Sequence, residues 1–389
     1  MGKNERRAYL EAVRNRYKQA SKIAKAIILD EFCSVCGYNR KYAIRLLNQQ
    51  KRRPTKRPGR KPIYHSTELL IALKRIWLAT DQMCSKRLVV AIPLWLPFYG
   101  NIYGKLSGRT IAQLLSVSAA TIDRLLAPTR ARTRFRGLCA TKPGSLLKNQ
   151  IPIRTHNWDI SQPGFMEADT VAHCGNSLAG DFIWSLTLTD IHTGWTECRA
   201  TWNNGATGVI EQIKNIQTKL PFELKGFDCD NGSEFLNYHL LRYFTEHKPK
   251  IKFTRSRPYK KNDNAHVEQK NWTHVRHLLG YDRLDNPKLV KLINNLYTRQ
   301  WSLLQNHFCP TLKLLEKIRV NSKYYKKYET PQTPYQRLML SEYISDDNKK
   351  TLKNTHQTLD PFKLKRQINR QLKVIFNMVT VTTNVRNHI

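Results

Sequence analysis

Residues Gly226–Trp272 read GFDCDNGSEFLNYHLLRYFTEHKPKIKFTRSRPYKKNDNAHVEQKNW, and the punctuation of this stretch decides how the rest of the chain is organised. The run LKGFDCD stops at Asn231-Gly232, so it reads as a strand that delivers the carboxylate of Asp230 to the rim of a sheet. Ser233 or Asn231 then caps a helix through Leu236, Leu240, Tyr243 and Phe244, and IKFTRSR follows as another strand. A last helix starts near Asn264, with Asp263 or Asn264 as its cap and Glu268, Trp272, Val275 and Leu279 along one stripe. A glutamate on that apolar stripe is costly unless it is paired or bound to a metal.

Upstream, GFMEADTVAH alternates as a strand, with Asp169 in its middle on the face shared by Phe165, Glu167 and Val171. DFIWSLTLTD and GWTECRATWN complete an antiparallel meander through the turns CGNSLAG and DIHTG, and Gly205 to Leu220 has a helical period. Three hairpin strands followed by helix, strand, helix, strand, helix is the element order of an α/β, ribonuclease-H-like mixed five-stranded sheet with helices. Two strands and one helix can then bring Asp169, Asp230 and Glu268 together. Glu167, Asp228 and Asp263 are the neighbouring acids that a shift of register would substitute.

EADT, DNGSEF and SRPYKKNDNAHVEQKN, in that order, resemble the Asp, Asp, Glu triad of retroviral-integrase-like (DDE) insertion-sequence transposases. The resemblance spans residues 150 to 310, with thirty-seven residues between Asp230 and Glu268. DNG and VEQKN favour Asp230 and Glu268 over the acids beside them. The resemblance implies that Asp169 bridges two divalent ions while Asp230 holds one and Glu268 the other. Carboxylates without thiolate or imidazole suit Mg²⁺, with Mn²⁺ able to substitute. The implied reaction is DNA cleavage that frees a 3′ hydroxyl, followed by attack of that hydroxyl on target DNA. Arg255, Arg257, Lys260, Lys261 and Lys270 are the expected phosphate contacts beside the site.

The 389-residue chain carries 66 Lys and Arg against 29 Asp and Glu, a formal charge of +37. That excess points to a polyanionic partner, double-stranded DNA ahead of an acidic membrane surface. The charged amino terminus lacks the apolar segment of a secretory signal, and Leu88 to Gly100, interrupted by Pro93 and Pro97, is too short to span a bilayer. The expectation is a cytoplasmic, nucleoid-associated protein with no membrane partner. Eight cysteines without a framework fit a reducing compartment. Cys33 and Cys36 form the one CxxC pair, but no histidine precedes them as in the zinc site of retroviral integrases, so they read as reduced thiols of a helical domain.

Residues 1–50 form a helical region, a candidate helix-turn-helix with Gly37 between two segments. Residues 51–63 are a basic linker in which Arg57 and Arg60 have the makings of a minor-groove arm. Residues 64–130 read as a second helix-turn-helix-type DNA-binding domain: a helix from Arg109 to Leu115, then Ser118 capping a helix with Ile122, Leu125 and Leu126 inward, which leaves Thr121 and Arg124 free to approach base edges. A basic connector (131–158) leads to the integrase-like catalytic core (159–310). The basic carboxyl-terminal region (311–389) mixes Lys and Arg with Tyr324, Tyr325, Tyr328 and Tyr335, suited to gripping nucleic acid, and from 341 onward reads as hydrophilic and irregular. The expected function is a transposase that binds element ends as a homo-oligomer and cuts and joins DNA. The alternative is an inactive or repurposed transposase acting as a sequence-specific DNA-binding protein.

Overall fold

The computed structural model describes residues 2–49, 63–132, 161–255 apart from 231, 233 and 236, and 265–386. The chain divides into two compact units, residues 1–63 and 64–389. In the first, α1 (Lys3–Gln19), α2 (Lys22–Cys36) and α3 (Arg40–Asn48) enclose Val13, Phe32, Ala43 and Leu47. The first 36 residues are two helices rather than one, because Ser21 caps α2 by accepting from the Ala24 amide. Gly37 ends α2 in the left-handed region (φ +66°), where a Cβ would be strained.

The second unit opens with α4 (Thr67–Ala79), α5 (Ser85–Tyr103), α6 (Gly108–Ser116) and α7 (Ala119–Ala131). Pro93 and Pro97 lie one turn apart on the exposed side of α5, where water can satisfy the carbonyls they release, while Trp95 and Tyr99 are buried on the other side. No helix among the described residues is long and apolar enough to cross a membrane.

The sheet follows: β1 (Phe165–Ala172), β2 (Ile183–Asp190), β3 (Thr196–Trp202), α8 (Ala206–Gln217), β4 (Gly226–Cys229), α9 (Tyr238–Glu246) and β5 (Lys252–Arg255). The strand order is β3-β2-β1-β4-β5, with β1, β2 and β3 antiparallel and β4 and β5 parallel to β1. This is the ribonuclease-H-like mixed sheet. The helix after Asp230 begins at Tyr238 under an Asn237 cap, later than the sequence pattern indicates.

Alternation along the strands builds two faces. Met166, Ala168, Phe227 and Cys229 meet α8 and α9. The opposite face meets α10 (Ala265–Lys270), which runs on through a π-helical segment, Asn271–Arg276, into α11 (His277–Leu279). The wider π turn shifts the helical phase, so Val275 and Leu279 are buried but Trp272, expected on the same stripe, is 47% exposed.

Then come α12 (Lys288–Leu296), a second π-helical segment (Tyr297–Trp301) and α13 (Ser302–Phe308), laid along the edge strand β3. Two asparagines complete that edge. Asn294 accepts from the Ala200 amide at 2.7 Å and donates to its carbonyl at 2.8 Å, and Asn306 does the same for Thr196 at 2.9 Å in each direction.

The chain closes with the two-stranded ribbon β6 (Leu314–Val320) and β7 (Lys323–Tyr328), then α14 (Pro334–Leu340), α15 (Asp346–Thr358) and α16 (Pro361–Arg386). The tail from 341 is therefore helical, not irregular. α16 buries Phe362, Leu364, Ile368 and Ile375 in the core that also holds α4–α7 and α12–α13. Ile368→Ala should cost about 2–5 kcal/mol in denaturant unfolding, while Arg366→Ala, at an exposed position of the same helix, should stay within about 0.5 kcal/mol.

Candidate active site

Parallel pairing of β1 with β4 sets Glu167 beside Asp228 and Ala168 beside Cys229. One step further along, the same register sets Asp169 beside Asp230, at the carboxyl end of β4. The lower pair is fully buried and structural: the Val267 amide donates to Glu167 at 3.2 Å and the Thr254 hydroxyl to Asp228 at 2.5 Å. Of the alternatives open in the sequence, Glu167 and Asp228 thus lie beneath the rim, and Asp169 and Asp230 lie on it.

Entry into β1 needs Gly164. Its φ is +112°, a Cβ would meet the Glu223 carbonyl at 2.5 Å, and its own carbonyl accepts from the Lys225 and Gly226 amides. These bonds tie the start of β1 to the start of β4 and so fix the register of the two rim carboxylates.

At the rim, Asp169 accepts from the Thr170 amide at 2.8 Å and from the Asn271 side-chain amide at 2.6 Å, and Asp230 accepts from the Gly232 amide at 2.9 Å. A third carboxylate, Glu234, joins them by accepting the Thr170 hydroxyl at 2.6 Å. It lies so close to Gly232 that a Cβ there would sit 2.6 Å from it. Burial raises the Asp230 pKa to about 6, with Glu234 adding to the shift. Burial, then the charges of Asp230 and Glu234, raise Asp169 to about 8. The charge of one rim carboxylate therefore opposes the ionisation of the other.

Glu268 lies in α10, three residues before Asn271, and its side chain is outside the described residues. So are Asp263, Arg257, Lys260 and Lys261, and Arg57 and Arg60 of the linker. Arg255 ends β5 and is 5% exposed. Lys270 does not join the carboxylates: it is buried and donates to the Gly194 carbonyl at 3.3 Å. Burial, with Arg87 and Arg337 nearby, brings its ammonium pKa down to about 7. Thr121 and Arg124 lie on α7, where Ser118 caps the helix as expected, Arg124 is exposed and its guanidinium donates to Thr121 at 3.1 Å.

Sequence reasoning missed Glu234, Thr170 and Asn271. The signals were in the quoted motifs: Glu234 in DNGSEF, Thr170 in EADT, and Asn271 closing VEQKN. Among the described residues, no three of His, Cys, Asp and Glu are disposed to hold a metal ion. The donor chemistry of the rim nevertheless fits a hard cation. It combines adjoining carboxylates with the buried Asn271 Oδ1, which has no hydrogen-bond partner among the described residues.

Two buried like charges cost stability wherever nothing neutralises them. The folded-state pKa of Asp169 (about 8) exceeds its ordinary value of 3.8, so the folded chain keeps a proton that the unfolded chain releases. Stability from this group is then present below pH 4 and lost as pH rises toward 8. In chelator, the melting temperature should fall between pH 5 and pH 8, and Asp169→Asn should melt a few degrees higher at pH 8 with a flatter profile.

No family model matches the chain. Solved structures with similarity include the HTLV-2 integrase catalytic core domain in complex with magnesium (dimeric form), at 15% identity over 38% of this chain and 90% of that one, with a TM-score of 0.28. The simian T-cell lymphotropic virus intasome in complex with PP2A regulatory subunit B56 gamma matches at 14% identity over 47% of this chain and 59% of that one, with a TM-score of 0.26. Both superpositions are weak, and the fold assignment rests on the strand order above. The uncharacterized protein y4rM of Sinorhizobium fredii (strain NBRC 101917 / NGR234) is 38% identical over 331 residues, 84% of this chain and 93% of that protein. At that identity and coverage, the chain belongs to the same family as y4rM.

Proposed function

We propose that the protein is a DDE-type transposase: a polynucleotidyl transferase that binds the ends of a mobile element as a homo-oligomer, cuts them and joins them to target DNA. One observation carries the reading. Asp169 and Asp230 stand side by side on adjacent parallel strands of a ribonuclease-H-like sheet, and the helix bearing Glu268 packs across them through Val267 and Asn271.

Asp169, Asp230 and Glu268 would hold the metal, two Mg²⁺ ions or Mn²⁺ in their place. When bound, these ions supply neutralisation of the phosphate charge and activation of the attacking oxygen. The chain's own groups do the positioning. Asn271 and the Thr170 amide hold both oxygens of Asp169, the Gly232 amide orients Asp230, and Thr170 holds Glu234 against the pair. Hydrolysis at the element end releases a 3′ hydroxyl, which attacks a target phosphodiester in line. A net charge of +37 supports binding of two DNA segments at once. Arg57, Arg60, Thr121, Arg124, Arg255, Arg257, Lys260 and Lys261 are the proposed DNA contacts.

The test is cleavage and joining of labelled duplex carrying the repeats that flank the gene. The wild-type chain should cut and join in Mg²⁺ or Mn²⁺ and do neither in chelator, and Asp169→Asn, Asp230→Asn and Glu268→Gln should fall to background while still binding DNA. Asn271→Ala should retain activity reduced about 10–100-fold, with a raised Mg²⁺ requirement. Binding without cleavage by every chain, wild type included, would overturn the catalytic reading in favour of a DNA-binding protein.

A further inference from the structure

A cleft of about 770 Å³ lies between the first turn of α5, the β2–β3 turn, α10 and the base of the β6–β7 ribbon. None of the rim carboxylates lines it. Arg87, Lys270, Lys313 and Lys326 do, and none of these four is ion-paired among the described residues. Three of them instead donate to backbone carbonyls of the wall: Arg87 to Pro310, Lys270 to Gly194 at 3.3 Å and Lys313 to His192 at 3.2 Å. An ammonium has three donors, so each lysine keeps donors to spare.

Glu329 and Asp190 favour the charged form of Lys313, but both acids are engaged by other groups. Asp190 is fully buried, and its two oxygens accept from the Gly164 amide and from the amide and hydroxyl of Thr193. Arg337, the fifth cation lining the cleft, has Glu329 as its partner. Cations gathered around one cleft repel one another, and a bound anion relieves that repulsion.

We propose that this cleft and its mouth hold successive backbone phosphates of a DNA strand, as an anion site separate from the carboxylate centre. The inference rests on the transposase reading for the identity of the polymer. The ribbon argues for a strand over a free phosphate. Arg319, exposed farther out on the face that carries Lys326, and Lys323, exposed at the tip, continue the positive track outward. A two-stranded ribbon is also narrow enough to enter a major groove.

The experiment measures binding of a fluorescent duplex to the full chain by anisotropy over a series of NaCl concentrations. Three chains are compared: wild type, Lys313→Met/Lys326→Met, and Lys350→Met/Lys353→Met, which removes two charges from α15 instead. The cleft variant should lose about ten-fold in affinity, and its slope of log K against log[salt] should shrink by about 1.8, at 0.9 per phosphate contact. The α15 variant should match wild type. Lys326→Met alone, at an exposed position, should give half the slope change if the double variant folds poorly.

Equal slopes in the cleft and α15 variants, with wild-type cleavage intact, would overturn the cleft assignment alone. Protection from thermal unfolding by inorganic phosphate that needs Lys313, with duplex slopes unchanged, would make the ligand a free phosphate and likewise overturn it. A wild-type chain that binds no duplex would overturn the transposase reading together with the cleft.

Discussion

Two carboxylates that repel one another are held side by side at the end of a parallel strand pair, and much of the second unit serves to keep them there. Asp169 and Asp230 would relax apart if β1 or β4 could slip. Slippage is opposed from below, where Glu167 is tied to the Val267 amide and Asp228 to Thr254, and from the strand entrance, where Gly164 accepts from Lys225 and Gly226. Each of these bonds lies in a buried setting, where leaving one partner unsatisfied costs about 1–3 kcal/mol. The repulsion at the rim is thus offset by an ordered layer one residue deeper.

The helix across the site has a second role. Consecutive residues serve different surfaces: Asn271 reaches Asp169, and Lys270 turns to the Gly194 carbonyl in the basic cleft. The π-helical segment that begins at Asn271 meets the one in the neighbouring helix, where Trp301 donates to the His274 carbonyl at 2.9 Å and packs against the His274 ring. Both rings are buried. This contact locks the phase of the helix, so the carboxylate centre and the cleft are held by one rigid element.

Much of this could be read in advance from short-range chemistry. The strands declared themselves by alternation and Gly-rich turns, and Asp230 by the Asn-Gly that follows it. Ser118 as a cap fixed the turn between α6 and α7. What escaped had long-range causes. Trp272 was assigned inward because a regular 3.6-residue period was assumed, and nothing local announces a π turn. Glu234 looked like part of a helix and is instead held by Thr170, 64 residues earlier. The tail after 341 has little apolar content in α15, and its helices are stabilised by packing on distant elements, with Leu352 joining the α8–α9 face and Phe362 meeting Trp95.

The asparagine pairs along β3 bear on how copies of the chain can meet. A sheet edge normally offers free amides and carbonyls to another strand. Here Asn294 and Asn306 mimic such a partner at Ala200 and Thr196, so this margin of the sheet cannot be extended by a neighbouring molecule. The opposite margin, β5, is only four residues long and starts with an exposed lysine. Self-association through strand addition to the five-stranded sheet is therefore disfavoured on both sides.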